Sequence, residues 1–292
     1  MNKFRKFLNY SFLPKLVIVL GILIAIYPWI SDYMYRDRMS NVILEYEKDI
    51  AKTNKRGLEN LRKTAEAYNK DLTKQAVTLT DPFKEDTARN VLYKKYKSSE
   101  LPIKEGELVG FIDIPRIGVY LPIYYGTNSS VLQSGIGQLK GSSLPVEGKS
   151  VHSVLTGHTG LNDKKLFTDL DQLVKGDLFF VSAFGKKLCF KVKAIEVVLP
   201  DNLEALYIKE GEDLCTLVTC TPYGINSHRL LVTGTITEYS ESMEKEQTRG
   251  KYISNWKKEY MICVVIGLLM AITLGFIIKK RRQNAKKKEK SN

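Results

Sequence analysis

A chain of 292 residues is long enough for one large domain or two small ones, with ample sequence for a core. Its net charge of +13 suggests a nucleic-acid partner, but the charge sits at the ends: residues 1–15 give +4 and residues 279–292 give +7, leaving +2 between them. No basic stripe remains to follow a phosphate backbone, which argues against nucleic-acid binding.

The first element is LVIVLGILIAIYPWIS, Leu16 to Ser31, uncharged for 16 residues. A span needs roughly 20 apolar residues; Phe12 and Leu13 extend this one while Lys15 snorkels. An uncleaved anchor over 16–31 is expected rather than a cleaved signal peptide, because the bulky YPWISDY offers no small-x-small site. Residues 32–75 follow as an amphipathic helical region. Met39, Ile43, Tyr46 and Ile50, then Leu58, Leu61, Ala65, Tyr68 and Leu72, recur at helical spacing, with Gly57 as the expected break. In TDPFKED, Asp81 is a good N-cap, Pro82 a good first helical residue and Glu85 a first-turn acid, so local physics reads a helix start within residues 76–100.

From Glu107 the texture becomes short apolar runs between turn residues. ELVGFIDIP, VYLPIYYG, VHSVLTGHTG, DLFFVSAF, KLCFKVKAIEVV, LCTLVTC and HRLLVTGTITEY give about seven or eight strands over residues 101–240. KKLFTDLDQL reads as a short helix, and Gly185, Lys186 and Lys187 as a hairpin connection. The fold class is mainly β, a barrel or sandwich with short helices. A linker over 241–259 leads to a second apolar segment, Tyr260 to Ile278, 19 residues without charge and followed by KKRR. The positive-inside rule places both basic termini, 1–15 and 279–292, in the cytoplasm and residues 32–259 on the outer side of a lipid bilayer.

The outer domain holds Cys189, Cys215 and Cys220. Three is odd, so at least one thiol is free or pairs between chains. There is no CxxC and no Cys/His cluster at zinc spacing. Strand alternation puts Cys215 and Cys220 on opposite faces, with Cys220 at the strand end, on a barrel rim. A buried structural cysteine is one reading of that position. A nucleophile is the other, and it needs a base or positive charge nearby. His158 ends a strand on the glycine-flanked turn TGHTG, while His152 begins the same strand, about 20 Å away at strand rise. His228 and Arg229 are adjacent, so only one of them can share the site of Cys220. Arg229, always charged and with a fork of donors, suits an oxyanion.

TLVTC followed nine residues later by Arg229, with TGH upstream, resembles the sortase transpeptidases. TLVTCTPYGINSHRLLVTG and LTGHTGLNDKKLFTDLDQLVKGD resemble the class C, pilin-polymerising group, and DPF at Asp81 to Phe83 resembles its lid over the active site. The resemblance covers about residues 32–278. It implies a sortase-type β-barrel with a lid region and two flanking membrane helices, in the cell membrane of a Gram-positive bacterium. It also implies Cys220 as nucleophile, His158 as general acid/base, Arg229 as substrate-positioning and oxyanion group, and Asp81 and Phe83 as lid residues. His152 and His228 have no catalytic place in that pattern. The implied reaction cleaves an LPxTG-like sorting signal between Thr and Gly through a thioacyl enzyme, then joins it to a pilin lysine. The expected partners are pilin subunits and the bilayer; no cofactor is implied and a monomer is expected. An anchoring sortase, a hydrolytic cysteine peptidase and a non-catalytic tethered scaffold are the alternatives.

Overall fold

The computed structural model describes residues 12–74, 77–84, 103–161 and 164–243, with isolated positions between 262 and 273. The chain forms two compact units, one of Met1–Ile26 with Ile253–Asn292 and one of Tyr27–Tyr252. Among the described residues no helix is long and apolar enough to cross a membrane. The expected first span lies within helix α1, and nearly all of the second lies outside the described residues, as does the helix expected after the DPF segment.

Helix α1 (Phe12–Lys52) and helix α2 (Lys55–Leu72) are separated at Asn54 rather than at Gly57. The Asn54 side chain accepts the Gly57 N–H at 2.7 Å, so a capping residue sets the boundary and Gly57 falls in the first turn of α2. The stripe on α1 meets the barrel: Ile43 is fully buried, and the Tyr46 hydroxyl donates to the Val109 carbonyl at 3.1 Å while accepting the Phe184 N–H at 3.2 Å. On α2, Ala65, Tyr68 and Leu72 are buried as their spacing predicts, but Leu61 is exposed. The polar Asn69 is buried beside them because its amide satisfies both backbone groups of Leu144. It donates to the carbonyl at 2.9 Å and accepts the N–H at 2.7 Å.

Eight strands close into a barrel in the order β1-β2-β3-β4-β7-β8-β6-β5. They are β1 (Leu108–Ile114), β2 (Val119–Tyr125), β3 (Ile136–Gln138), β4 (Val151–Thr156), β5 (Leu178–Ala183), β6 (Lys186–Val198), β7 (Asp213–Thr221) and β8 (His228–Thr237). A six-residue helix, α3 (Ser129–Ser134), joins β2 to β3. β2–β3 and β4–β7 pair parallel; the other pairs are antiparallel.

Two local expectations change. The β5–β6 connection is Phe184 and Gly185 alone, both at positive φ, while Lys186 and Lys187 already pair with Ala183 and Ser182. Two consecutive positive-φ residues make the tight turn whose twist suits a hairpin. KKLFTDLDQL forms turns and one 3-10 turn, Leu170–Gln172, rather than a helix. Leu166 is at φ 40, and the Phe167 N–H goes to the His158 carbonyl at 3.1 Å, which ties the segment to the end of β4.

Alternation divides β4, β7 and β8 into two faces. Leu155, Cys215, Leu217, Leu230 and Val232 belong to the main core. Val154, Val218 and Leu231 belong to a second apolar cluster that also contains Leu79, Leu139 and Leu206. His152, Thr216, Cys220, Arg229 and Thr233 share the parity of that second face, and the polar chemistry is concentrated there.

Candidate active site

Cys220 is the penultimate residue of β7, so the strand runs one residue further than the reading that ended it at the cysteine. It stands directly opposite Arg229 in the antiparallel β7–β8 pair. Residues opposite one another on one face have Cβ atoms about 5 Å apart, which brings the guanidinium beside the thiol. His228 pairs with Thr221 and faces the other way, its Nδ1 at 2.9 Å from the Ser227 hydroxyl.

His158 arrives by a different route. The parallel β4–β7 register ends with Thr156 beside Val218, and counting two places onward on both strands sets His158 alongside Cys220. The junction continues past the strand: the Gly157 N–H donates to the Val218 carbonyl at 3.1 Å, and the Thr219 hydroxyl donates to the Gly157 carbonyl at 2.7 Å. A Cβ on Gly157 would lie 2.7 Å from Ile136 and 2.8 Å from the Phe167 ring, so the turn that presents the histidine has room only for glycine. His152 lies four residues before Thr156 on the same strand, fully buried and away from this end.

Residues 77–84 lie across the site. Val77, Leu79, Asp81 and Phe83 alternate toward the barrel, and Val77, Leu79 and Phe83 join the apolar cluster on β4, β7 and β8. Asp81 does not start a helix among the described residues; it heads a turn in which its carboxylate accepts the Phe83 N–H at 3.4 Å and its carbonyl the Lys84 N–H at 3.2 Å. The same carboxylate binds Arg229 through two parallel bonds, Nε to Oδ1 at 2.9 Å and Nη2 to Oδ2 at 2.7 Å. Both side chains are buried, which makes this pairing stronger and more directional than a surface ion pair. Nη1 of Arg229 donates to the carbonyls of Asn226, at 3.1 Å, and His228, at 3.0 Å. The Phe83 ring sits 5.5 Å from the His158 ring and 5.0 Å from the Arg229 guanidinium carbon, filling the space between them.

The electrostatics follow from that packing. Burial pushes the Cys220 thiol above its ordinary value; Arg229 opposes the rise and the Asp81 carboxylate adds to it. Burial, and then the Lys164 ammonium, hold the His158 imidazolium below its usual range. The covered site therefore holds a thiol and a neutral imidazole, a resting pair that becomes reactive when the thiol loses its proton. Among the described residues no group of three or more His, Cys, Asp or Glu is placed to hold a metal ion.

All five residues singled out in the sequence, Cys220, His158, Arg229, Asp81 and Phe83, lie at this one rim. Val77, Leu79 and the carbonyl of Asn226 also contribute to the site, and no sequence motif marks them as doing so. The signal for the 77–83 stretch is the period-two alternation of VTLTDPF, which competes with the helix-start signal of TDPFKED.

The sortase domain profile matches residues 112–237. Sortase A of Streptococcus agalactiae is 24% identical over 218 residues, covering 73% of this chain and 80% of that relative. Among solved structures, Streptococcus pneumoniae sortase C, described for catalysis and pilin substrate specificity, is 39% identical with a TM-score of 0.62, covering 69% of this chain and 98% of its own. Clostridium perfringens sortase C, solved with the C-terminal cell wall sorting motif, is 40% identical with a TM-score of 0.59, covering 68% of this chain and 100% of its own. With a strand-borne cysteine paired to an arginine, a neighbouring histidine and relatives of this identity and coverage, the chain belongs to the sortase family of cysteine transpeptidases, on its class C branch.

Proposed function

We propose that the chain polymerises pilin subunits from the outer face of a Gram-positive cell membrane, with Cys220, His158 and Arg229 as its catalytic residues. The observation that carries the assignment of residues is the convergence of β4, β7 and β8 at one rim, with Cys220 opposite Arg229 and in line with His158.

In this reading the Cys220 thiolate attacks the threonine carbonyl carbon of an LPxTG-like sorting signal. A carbon–sulfur bond forms, and the carbonyl electrons move onto oxygen, where Arg229 donates hydrogen bonds. His158, protonated by the proton that left the thiol, gives it to the departing glycine amine, and the Thr–Gly bond breaks. A lysine amine of a second pilin then attacks the thioester, His158 takes its proton, and Cys220 is released. The product is an isopeptide bond. The pneumococcal relative's pilin specificity and the clostridial relative's bound sorting motif support this substrate class.

Residues 77–84 act as a lid. Arg229 cannot serve an oxyanion while both of its forward donors are held by Asp81, and Phe83 occupies the space a substrate would need. Departure of the segment exposes an apolar trough of Leu139, Val154, Leu206, Val218 and Leu231 leading to Cys220, where an extended sorting peptide would lie.

Anchoring by segments 16–31 and 260–278 is part of the same proposal. Val19, Leu20, Leu23, Ile24, Tyr27 and Ile30 of α1 are all more than half exposed, an apolar run that suits a lipid surrounding. Incubating the full-length chain with an LPxTG peptide and a lysine-bearing pilin tests the whole reading. Isopeptide product supports polymerisation, and a free acid alone indicates hydrolysis. No turnover, even with Phe83→Ala, indicates a scaffold.

A further inference from the structure

His152 is fully buried and has no part in the mechanism above, yet both of its ring nitrogens are engaged. Nδ1 lies 2.8 Å from the Tyr207 carbonyl oxygen and Nε2 lies 2.7 Å from the Thr216 hydroxyl. A carbonyl only accepts, so Nδ1 carries the proton. Nε2 of the neutral ring is then the acceptor, and the Thr216 hydroxyl donates to it. The Thr216 oxygen, 2.9 Å from the Thr233 hydroxyl, accepts from that residue in turn. The chain of bonds runs from β8 through β7 and β4 to one backbone carbonyl outside the barrel wall. Burial holds the imidazolium below its usual range, which keeps the ring in this neutral form.

That carbonyl belongs to the β6–β7 segment, residues 199–212. Leu206, next to Tyr207, is a wall of the apolar trough beneath the lid stem. Leu206, Tyr207 and Ile208 also line a cavity of about 600 Å³ shared with Leu72, Val77 and Leu79. The segment is tied again at Gly211, whose N–H donates to the Ser150 hydroxyl at 2.9 Å. Between Leu206 and that second tie, the bond from His152 holds the stretch that forms the trough wall.

We propose that His152 is a positioning residue for substrate: by holding the Tyr207 carbonyl it fixes the β6–β7 segment, and so the width of the trough that receives the sorting peptide. This rests on the proposed function, in which the peptide takes the path of the lid stem. The role belongs to Nδ1–H rather than to the ring as a whole. Asn presents an amide N–H near the place of Nδ1, whereas Gln carries its amide out toward Nε2 and leaves the carbonyl unpaired.

The test uses the full-length chain in mild detergent, with Phe83→Ala as the reference so that the lid does not limit entry. Cleavage of an LPxTG peptide is measured in that background with His152→Asn and His152→Gln. The Gln variant should raise KM about fivefold to tenfold, as expected for one lost buried hydrogen bond, with kcat within about twofold. The Asn variant should keep KM near the reference. Amide exchange in residues 199–212 should quicken with Gln and not with Asn. Equal KM in all three proteins overturns the inference, as does a fall in kcat at unchanged KM. Loss of a cooperative melt with Gln also overturns it, because His152 would then support the barrel and not the trough. No cleavage by the reference itself removes the proposed function, and this inference with it.

Discussion

Arg229 is held on every side by acceptors: two oxygens of Asp81 in front and the carbonyls of Asn226 and His228 behind. The rear pair belongs to its own turn, so in the proposed mechanism it would stay when residues 77–84 leave, keeping the guanidinium aimed for a substrate carbonyl that replaces Asp81. Cys220 is affected by the same exchange. Its thiol is raised first by burial and further by Asp81, so uncovering the site and removing that carboxylate both favour the thiolate. Asp81→Ala and Phe83→Ala should each move the pH profile of Cys220 alkylation to lower pH. At pH 7.5 the labelling rate should rise by about tenfold, the effect of one pKa unit on thiolate fraction. Stopped alkylation followed by peptide mapping reads this directly, and rates equal to wild type in both variants remove the lid from the account.

At the scale of elements, the site depends on a turn and a latch. Gly157→Ala would press a methyl group against Ile136 and Phe167, both buried, at a point where Phe167 holds the His158 carbonyl. A cost of about 1–3 kcal/mol is expected for such overpacking, with activity falling more than stability because the histidine turn moves; denaturant melts set beside turnover separate the two. Asn69→Ala would leave the buried Leu144 N–H unpaired, while the Leu144 carbonyl keeps the Val146 N–H at 2.8 Å, and should cost about 2 kcal/mol in the same melts. The strands, the cysteine at a rim and the opposition of His228 and Arg229 were legible because they depend on alternation within one or two strands. The parallel β4–β7 pairing that brings His158 to Cys220 was not, since no short-range pattern encodes which strands 62 residues apart become neighbours. The helix break moved from Gly57 to Asn54 for a local reason: a side chain that captures an N–H outranks a residue that merely tolerates many conformations. Asp81 has N-cap chemistry, and its carboxylate does accept a nearby N–H, but a buried guanidinium takes both of its oxygens. The helix that TDPFKED predicts lies outside the described residues, and the pairing of Asp81 with Arg229 joins positions far apart in the chain, which no local pattern encodes.

For the whole molecule, eight strands closed into a barrel leave no sheet edge, and one face of β4, β7 and β8 gathers the polar residues that chemistry needs. The barrel also carries a buried acid at its far end. Asp213 is raised to about 6, first by burial and further by Glu147, although its carboxylate accepts the Gly148 N–H at 2.8 Å. An acid raised in the folded state binds its proton more tightly there, so the fold is favoured below about pH 4 and loses that contribution as pH rises through 6. Asp213→Asn should therefore stabilise the protein at pH 7.5, by on the order of 1 kcal/mol after allowing for solvent screening. The gain should vanish near pH 4, which melting curves at the two pH values would resolve.

In the proposed reaction Cys220 carries the acyl group. Mass spectrometry of the full-length chain carrying Phe83→Ala, quenched in acid after mixing with an LPxTG peptide, reads that step before any acceptor is involved. An adduct of the peptide up to its threonine, cleavable by hydroxylamine and mapped to Cys220, is expected, with none in Cys220→Ala. An adduct on another residue, or cleaved peptide without any adduct in the Phe83→Ala protein and undiminished in Cys220→Ala, would contradict this role of Cys220.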